Sequence, residues 1–339
     1  MAYFALTTKM MSFPIIDTHC DLLSYLAKIP GANPYAKDEI ACAIPWLQDG
    51  NVRMQILAIY TDVRAENMSL ATRQAQIFSE LLEKHENDLA FADSAFLQNW
   101  DKQNCVGIKA SVENAAGFGN EDASWEEIYR QFDSILAKVK SLAYISLTHH
   151  TENRFGGGNY TEGIGLKDDG KKLLDYMAGK RIPVDLSHTS DLLAAGILNH
   201  IDNNKLDIPV IASHSNFREI WKHPRNLTDE FAKEIINRGG IIGVNFLRAF
   251  LDPEVPERLF DHLFHGFQIG GEKSICFGAD YFYTKDFNDP ERFPFYFPLV
   301  EDASKYPSLL KSLEDKLSPE DLEGLAYRNA LEFYRKIQS

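Results

Sequence analysis

The stretch IPVDLSHTSDLLAAGILNHIDNNKLDIPVIASHS, residues 182–215, sets the reading of the rest of the chain. It contains two apolar, β-prone runs, 182–186 and 210–211, and each leads into Ser-His, at His188 and His214. A fully buried strand has no packing reason to place an imidazole at its end twice in so short a span. Neutral imidazole is also the commonest metal ligand near neutral pH. Outward from this stretch the arrangement recurs. The run 15–16 leads to His19 and Asp21, 106–108 to Glu113, 143–147 to His149, and 275–277 to Asp280. Two further runs, 54–60 and 240–246, bring the count to eight.

Helix-patterned segments lie between these runs, at 69–85, 125–139, 170–180 and 228–238. The second is opened by Ser124 with Glu127 three residues on, the pattern of a capping box. Strands alternating with helices of this length argue for the α/β class and a parallel sheet. Eight such units, most with a chemically able residue past the strand, favour a closed (β/α)8 TIM barrel over an open doubly wound sheet. In such a barrel the strand C-termini converge on one face, so residues far apart in sequence meet there. No linker and no internal repeat divides the chain. A single catalytic domain over 1–339 is expected, with its motifs spanning about 14–335. The Gly-rich segment NRFGGGNYT, 153–161, lacks the ending of a phosphate loop and reads as a plain mobile loop. The aromatic segment RFPFYFP, 292–298, suits a pocket wall, a dimer contact or ordinary packing.

Composition narrows the partners. The 45% hydrophobic content supports a sizeable core. A net charge of −14 disfavours nucleic acid and anionic lipid. Residues 1–13 make no convincing signal peptide, and no run approaches the roughly 20 apolar residues that span a bilayer. Residues 330–339 are charged and amphipathic, unlike a lipid-anchor signal. The cysteines at 20, 42, 105 and 276 have no paired spacing and read as reduced thiols, so a cytoplasmic location is expected. A second copy of the chain is a candidate partner.

The residues past the runs have the chemistry of a metal hydrolase. His19 and Asp21 share a face of an extended segment and can chelate one ion. Asp17 shares their parity and suits orienting a ligand or capping a turn. His188 and His214 form a second pair. Glu113 can bridge two cations, and Lys109, if modified, is a rival bridge. His149 or its neighbour His150 can polarise a substrate carbonyl, Asp280 can accept a proton, and Arg225 can clamp a carboxylate through two parallel hydrogen bonds.

With these residues in place, DTHCD (17–21), QILAIYT (55–61), SVENAAG (111–117), SLTHH (146–150), GLKDDGKKLLDYMAGKRIPVDLSHTS (165–190), VIASHSNFREIWKHPRNLTDE (210–230), GGIIGVNF (239–246) and FGAD (277–280) together resemble the membrane (renal) dipeptidase family, the M19 metallopeptidases. The resemblance implies a (β/α)8 barrel with two zinc ions per chain. His19 and Asp21 would hold one and His188 and His214 the other, with Glu113 rather than Lys109 bridging them. His149 would orient the scissile carbonyl, Arg225 would hold the C-terminal carboxylate of a dipeptide, and Asp280 would handle the proton. A metal-bridging hydroxide would attack the amide, and a D-residue at the C-terminal position would be accepted. Leu247 departs from the family pattern, because mammalian members carry a Tyr there. No counterpart of the mammalian lipid anchor is expected. A related amidohydrolase acting on a lactam, lactone or N-acyl amino acid is the nearest alternative, and a non-catalytic metal-binding relative a more distant one.

Overall fold

The computed structural model describes residues 13–338. The segment read for a signal peptide therefore lies almost wholly outside the described residues. Nine strands run in chain order: β1 (Ile15–Cys20), β2 (Val52–Tyr60), β3 (Leu89–Phe91), β4 (Val106–Glu113), β5 (Leu142–Ser146), β6 (Val184–Asp185), β7 (Val210–Ile211), β8 (Ile242–Val244) and β9 (Ile275–Phe277). Eight of them form one parallel sheet in the order β7-β6-β5-β4-β2-β1-β9-β8. A parallel bridge between Ala212 and Ile242 joins its two ends, so the sheet closes on itself. All eight apolar runs of the sequence are barrel strands. The ninth strand, β3, is a three-residue addition that pairs with β4 outside the ring.

The strands read as near-continuous apolar runs because helices cover their outer faces and side chains fill the inside. Ile108, Ala110 and Val112 belong to the large core shared with the helices. A second cluster, with Ile16, Met54, Ile56, Tyr144, Ile211 and Cys276, continues into the C-terminal helix Asn329–Gln338 through Ala330, Leu331 and Tyr334. The helix Trp125–Val139 begins as its sequence requires. Ser124 Oγ accepts from the Glu127 amide, and the Glu127 side chain accepts from the Ser124 amide. Thr228 likewise accepts from the Phe231 amide at the head of Asp229–Asn237.

The register puts the chemistry at one end. Pairing between β2 and β4 runs from Met54 opposite Gly107 to Tyr60 opposite Glu113. Glu113 is thus the last residue of its strand, at the C-terminal mouth. Lys109 shares its side of β4 by alternation but sits four residues earlier, roughly 13 Å down the strand. Its ammonium donates to Ser141 Oγ at 2.6 Å. Burial lowers the Lys109 pKa to about 8.

The Gly-rich segment departs from its reading as a mobile loop. Phe155, Gly156, Gly157, Gly158 and Asn159 are buried. The Asn153 amide donates to the Gly156 carbonyl, and the Lys167 side chain donates to the Asn153 carbonyl. A Cβ on Gly158 would stand 2.1 Å from the His149 carbonyl oxygen, so glycine here serves close backbone approach to the neighbouring segment. The aromatic segment also finds its place. Phe295, Tyr296 and Phe297 are buried, and Tyr296 Oη donates to the Asp280 carbonyl at 2.5 Å.

Candidate active site

The strand ends bring seven of the eight sequence-designated residues into mutual contact at the barrel mouth. Glu113 lies at the centre. Its Oε1 is 2.9 Å from His188 Nε2, 3.4 Å from His214 Nε2 and 3.9 Å from His149 Nε2. Its Oε2 is 3.5 Å from His19 Nε2. His19 Nε2 is in turn 3.7 Å from Asp21 Oδ2 and 3.6 Å from Asp280 Oδ1. The two Glu113 oxygens therefore face different imidazoles.

Local backbone sets these positions. β1 ends at Cys20, and Asp21 heads the helix Leu22–Lys28. Asp17 holds the bend: its Oδ1 accepts from the His19 and Ala279 amides and its Oδ2 from Tyr306 Oη. Of the two roles open to it, orienting a ligand or capping a turn, these backbone bonds are those of a turn cap. His188 and Asp280 have φ of 69° and 63°, in the left-handed region that costs a non-glycine residue about 1–3 kcal/mol. Asn114, directly after Glu113, has φ of 75°. Three chain turns at the mouth are thus held in unfavourable backbone, a pattern that clusters at active sites.

The electrostatics favour a bound cation. Burial alone would strip the proton from His19, yet Glu113, Asp21 and Asp280 outweigh it and raise its pKa to about 10. A proton on His19 is the smallest cation that can occupy this field. Burial pushes Glu113 well above the ordinary carboxylate range, against the pull of His19. Asp280 rises to about 6, again chiefly through burial. Burial first, and then neighbouring positive charge, drives His149, His188 and His214 well below the usual imidazole value, so they stand neutral with lone pairs available. His19 Nε2 and Asp21 Oδ1 are buried with no hydrogen-bond partner. His19, Asp21 and Glu113, and Glu113, His188 and His214, form two N/O donor groups able to hold a metal ion.

A cavity of about 650 Å³ opens over the cluster, bordered by Asp21, Glu113, His149, His188, Asp280 and Leu247. Aromatic and basic groups complete its wall, among them Tyr60, Phe250, Phe282, Lys28 and Arg292. His150 reaches the cavity too, but its Nδ1 contacts Asn159 Oδ1 at 3.0 Å and its ring stacks on Tyr160. Arg225 is the eighth residue and is set behind this wall. It is 3% exposed, donates to Ser215 Oγ at 3.0 Å and to the His214 carbonyl at 2.7 Å, and leaves its Nε–H buried without a partner. A second cavity of about 750 Å³, bordered by Arg181, Lys205 and Arg238, lies away from the mouth and contains none of these residues.

Sequence reading missed three residues of the site. Asn245 donates to Asp280 Oδ2 at 2.8 Å. Tyr144 contacts His19 Nδ1 at 2.7 Å. Asp185 accepts from Ser213 Oγ, which itself contacts His214 Nδ1 at 2.7 Å. Asn245 and Asp185 each carried a signal, a polar side chain inside an apolar strand run.

A parallel eight-stranded barrel whose C-terminal mouth gathers imidazoles and carboxylates defines a (β/α)8-barrel enzyme. The membrane dipeptidase family, peptidase family M19, matches residues 6–339, and the chain belongs to it. Among curated proteins, dipeptidase verJ of Clonostachys rogersoniana is 26% identical over 260 residues, 74% of this chain and 61% of that protein. An uncharacterized protein in the pqqA 5' region of Klebsiella pneumoniae is 26% identical over 65% of this chain and 81% of its own length. Two solved structures superpose with a TM-score of 0.80. The metallopeptidase dipeptidase AC, of family M19, is 20% identical and covers 97% of this chain and 100% of its own. A metallopeptidase from Rhodobacter sphaeroides, liganded with a phosphinate mimic of the dipeptide L-Ala-D-Ala, is 18% identical and covers 96% of this chain and 99% of its own. At these identities the likeness establishes the fold.

Proposed function

We propose that this chain is a dipeptidase that holds two metal ions, zinc by its donor set, and hydrolyses the amide bond of a dipeptide. The observation that carries the reading is Glu113, whose two oxygens face His188 and His214 on one side and His19 with Asp21 on the other. Bound there, two cations would supply a water of lowered pKa and electrophilic polarisation of the carbonyl. His19 and Asp21 would hold one, His188 and His214 the other, and Glu113 both.

The remaining residues divide the work. Asp280 is poised near neutrality, with one oxygen fixed by Asn245 and the other directed at the cluster. It takes up and returns the proton that moves during hydrolysis. His149 is neutral and borders the cavity, so it donates a hydrogen bond to the scissile carbonyl oxygen. Arg225 is a buried cation with a free Nε–H, and it attracts the C-terminal carboxylate of a short substrate. Acceptance of a D-residue at that position is supported by the ligand of the Rhodobacter sphaeroides protein. Leu247 makes that side of the cavity apolar, which favours an uncharged side chain beside it.

A matrix of L,L- and L,D-dipeptides, assayed before and after chelation, tests the reading. Dipeptides are expected to be cleaved, tripeptides and C-terminal amides poorly, and chelation to abolish turnover until zinc is restored. Arg225 stands behind the wall rather than on it, and this favours one second reading. If C-terminal amides are cleaved as well as free dipeptides, the chain acts on a lactam, lactone or N-acyl amino acid instead.

A further inference from the structure

Two imidazoles of the cluster are held from behind by hydrogen bonds whose direction can be worked out, and the third is not. Tyr144 Oη lies 3.0 Å from the Thr18 carbonyl oxygen and 2.7 Å from His19 Nδ1. A carbonyl only accepts, and a phenol has one hydrogen, so Tyr144 donates to Thr18. Toward His19 it can then only accept, which places a hydrogen on Nδ1 and leaves Nε2 as the nitrogen that faces Glu113 and Asp21.

The same logic applies at His214 through one more residue. Asp185 is fully buried, and no basic side chain forms an ion pair with it among the described residues. Its Oδ1 accepts from the Ser213 amide at 2.7 Å and the Ser187 amide at 3.1 Å. Its Oδ2 accepts from Ser146 Oγ and Ser213 Oγ, both at 2.7 Å. A carboxylate only accepts, so the Ser213 hydroxyl spends its hydrogen on Asp185 and offers a lone pair to His214 Nδ1 at 2.7 Å. His214 therefore carries its hydrogen on Nδ1 and presents Nε2 to Glu113. His188 has no such support. Its Nδ1 is buried without a partner, and its backbone is in the left-handed region.

We infer that Tyr144 and the Asp185–Ser213 pair are positioning residues, each fixing the tautomer and ring orientation of one imidazole in a different half of the metal centre. Of the pair His188 and His214, only His214 has such a partner, through Ser213. This inference rests on the two-metal reading of the site. Partners of this kind typically contribute 10- to 100-fold to metal affinity.

The test is chelator-competition titration of zinc on the full chain, which resolves two dissociation constants. Ser213→Ala is expected to weaken one site by about 10- to 100-fold and leave the other within about threefold. Tyr144→Phe is expected to weaken the other site instead. Ser213→Thr, which keeps the hydroxyl, is expected to restore wild-type affinity. Variants that leave both constants unchanged, or Ser213→Thr behaving like Ser213→Ala, would overturn the inference. Nitrogen-15 shifts of the metal-free wild type give a readout that needs no variant to fold. His214 is expected as the Nδ1–H tautomer, and an Nε2–H tautomer would overturn the relay. A wild type that binds no second zinc would instead overturn the two-metal reading itself.

Discussion

At Glu113 each carboxylate oxygen has its own neighbours, His188 Nε2 at 2.9 Å and His19 Nε2 at 3.5 Å. An amide in its place keeps one acceptor and puts an NH2 donor against a cation. Glu113→Gln is therefore expected to lose tight metal binding in both halves and at least about 10²-fold in kcat. Elemental analysis with steady-state kinetics checks this, and a variant retaining two metals at normal kcat would refute the bridging role. Asp280 and His149 stand differently. Asp280 Oδ1 is as close to His19 Nε2 as Asp21 is, at 3.6 Å against 3.7 Å, so distance alone does not separate proton carrier from ligand. Asn245 holds its other oxygen, which leaves Oδ1 alone facing the cluster. Asp280→Ala and His149→Ala are expected to keep their metal while kcat falls about 10²–10³-fold. Loss of an ion from the Asp280 variant would make that residue a ligand.

Among the elements, β4 carries both Glu113, at the centre of the cluster, and a buried amine, Lys109, four residues below it. The folded-state pKa of Lys109, about 8, lies under the ordinary value of 10.5 because burial disfavours its charged form. Between those values the unfolded chain holds a proton that the folded chain has released. Stability thus rises with pH across that window, by roughly 3 kcal/mol in total. Lys109→Met is expected to lack this rise, which denaturant titrations of both proteins from pH 8 to 10.5 measure by difference. The strands that hold these groups were legible because periodicity and apolar runs are local properties. Even the two-residue β6 and β7 were found, since Ser-His marks their ends. β3 was not, because Leu89–Phe91 is too short to show a period and owes its extension to pairing with β4. The residues of the candidate site were legible for the same local reason, as polar residues where a buried strand stops. Tyr144 was not, because it is a plausible core aromatic until the fold brings it against a residue 125 positions away. The Gly-rich loop was misread because glycine looks alike whether it supplies freedom or close approach, and only the neighbouring His149 carbonyl distinguishes the two.

Over the whole molecule, the barrel closes around a buried cluster of carboxyl and imidazole groups, and an ion bound there also contributes to folding. A site filled at about 1,000 times its dissociation constant adds about 4 kcal/mol. For a chain of 339 residues that corresponds to roughly 5 °C in Tm per site. Chelation is therefore expected to lower Tm by at least about 5 °C. The sign of the pH dependence follows from His19. Its folded-state pKa of about 10 lies above the ordinary 6.5, so in the metal-free chain its stabilising proton is fully present below 6.5 and is lost as pH rises toward 10. Glu113, also raised, acts in the same direction. The metal-loaded chain has no need of that proton, and its ligands bind better once deprotonated. The gap in Tm between loaded and chelated protein should accordingly widen as pH is raised from 6.5 to about 9. Lys109 and the other distant groups titrate equally in both forms and drop out of the difference. Scanning calorimetry of the two forms at matched pH measures it, and a gap that narrows with pH would mean that metal does not occupy the field around His19.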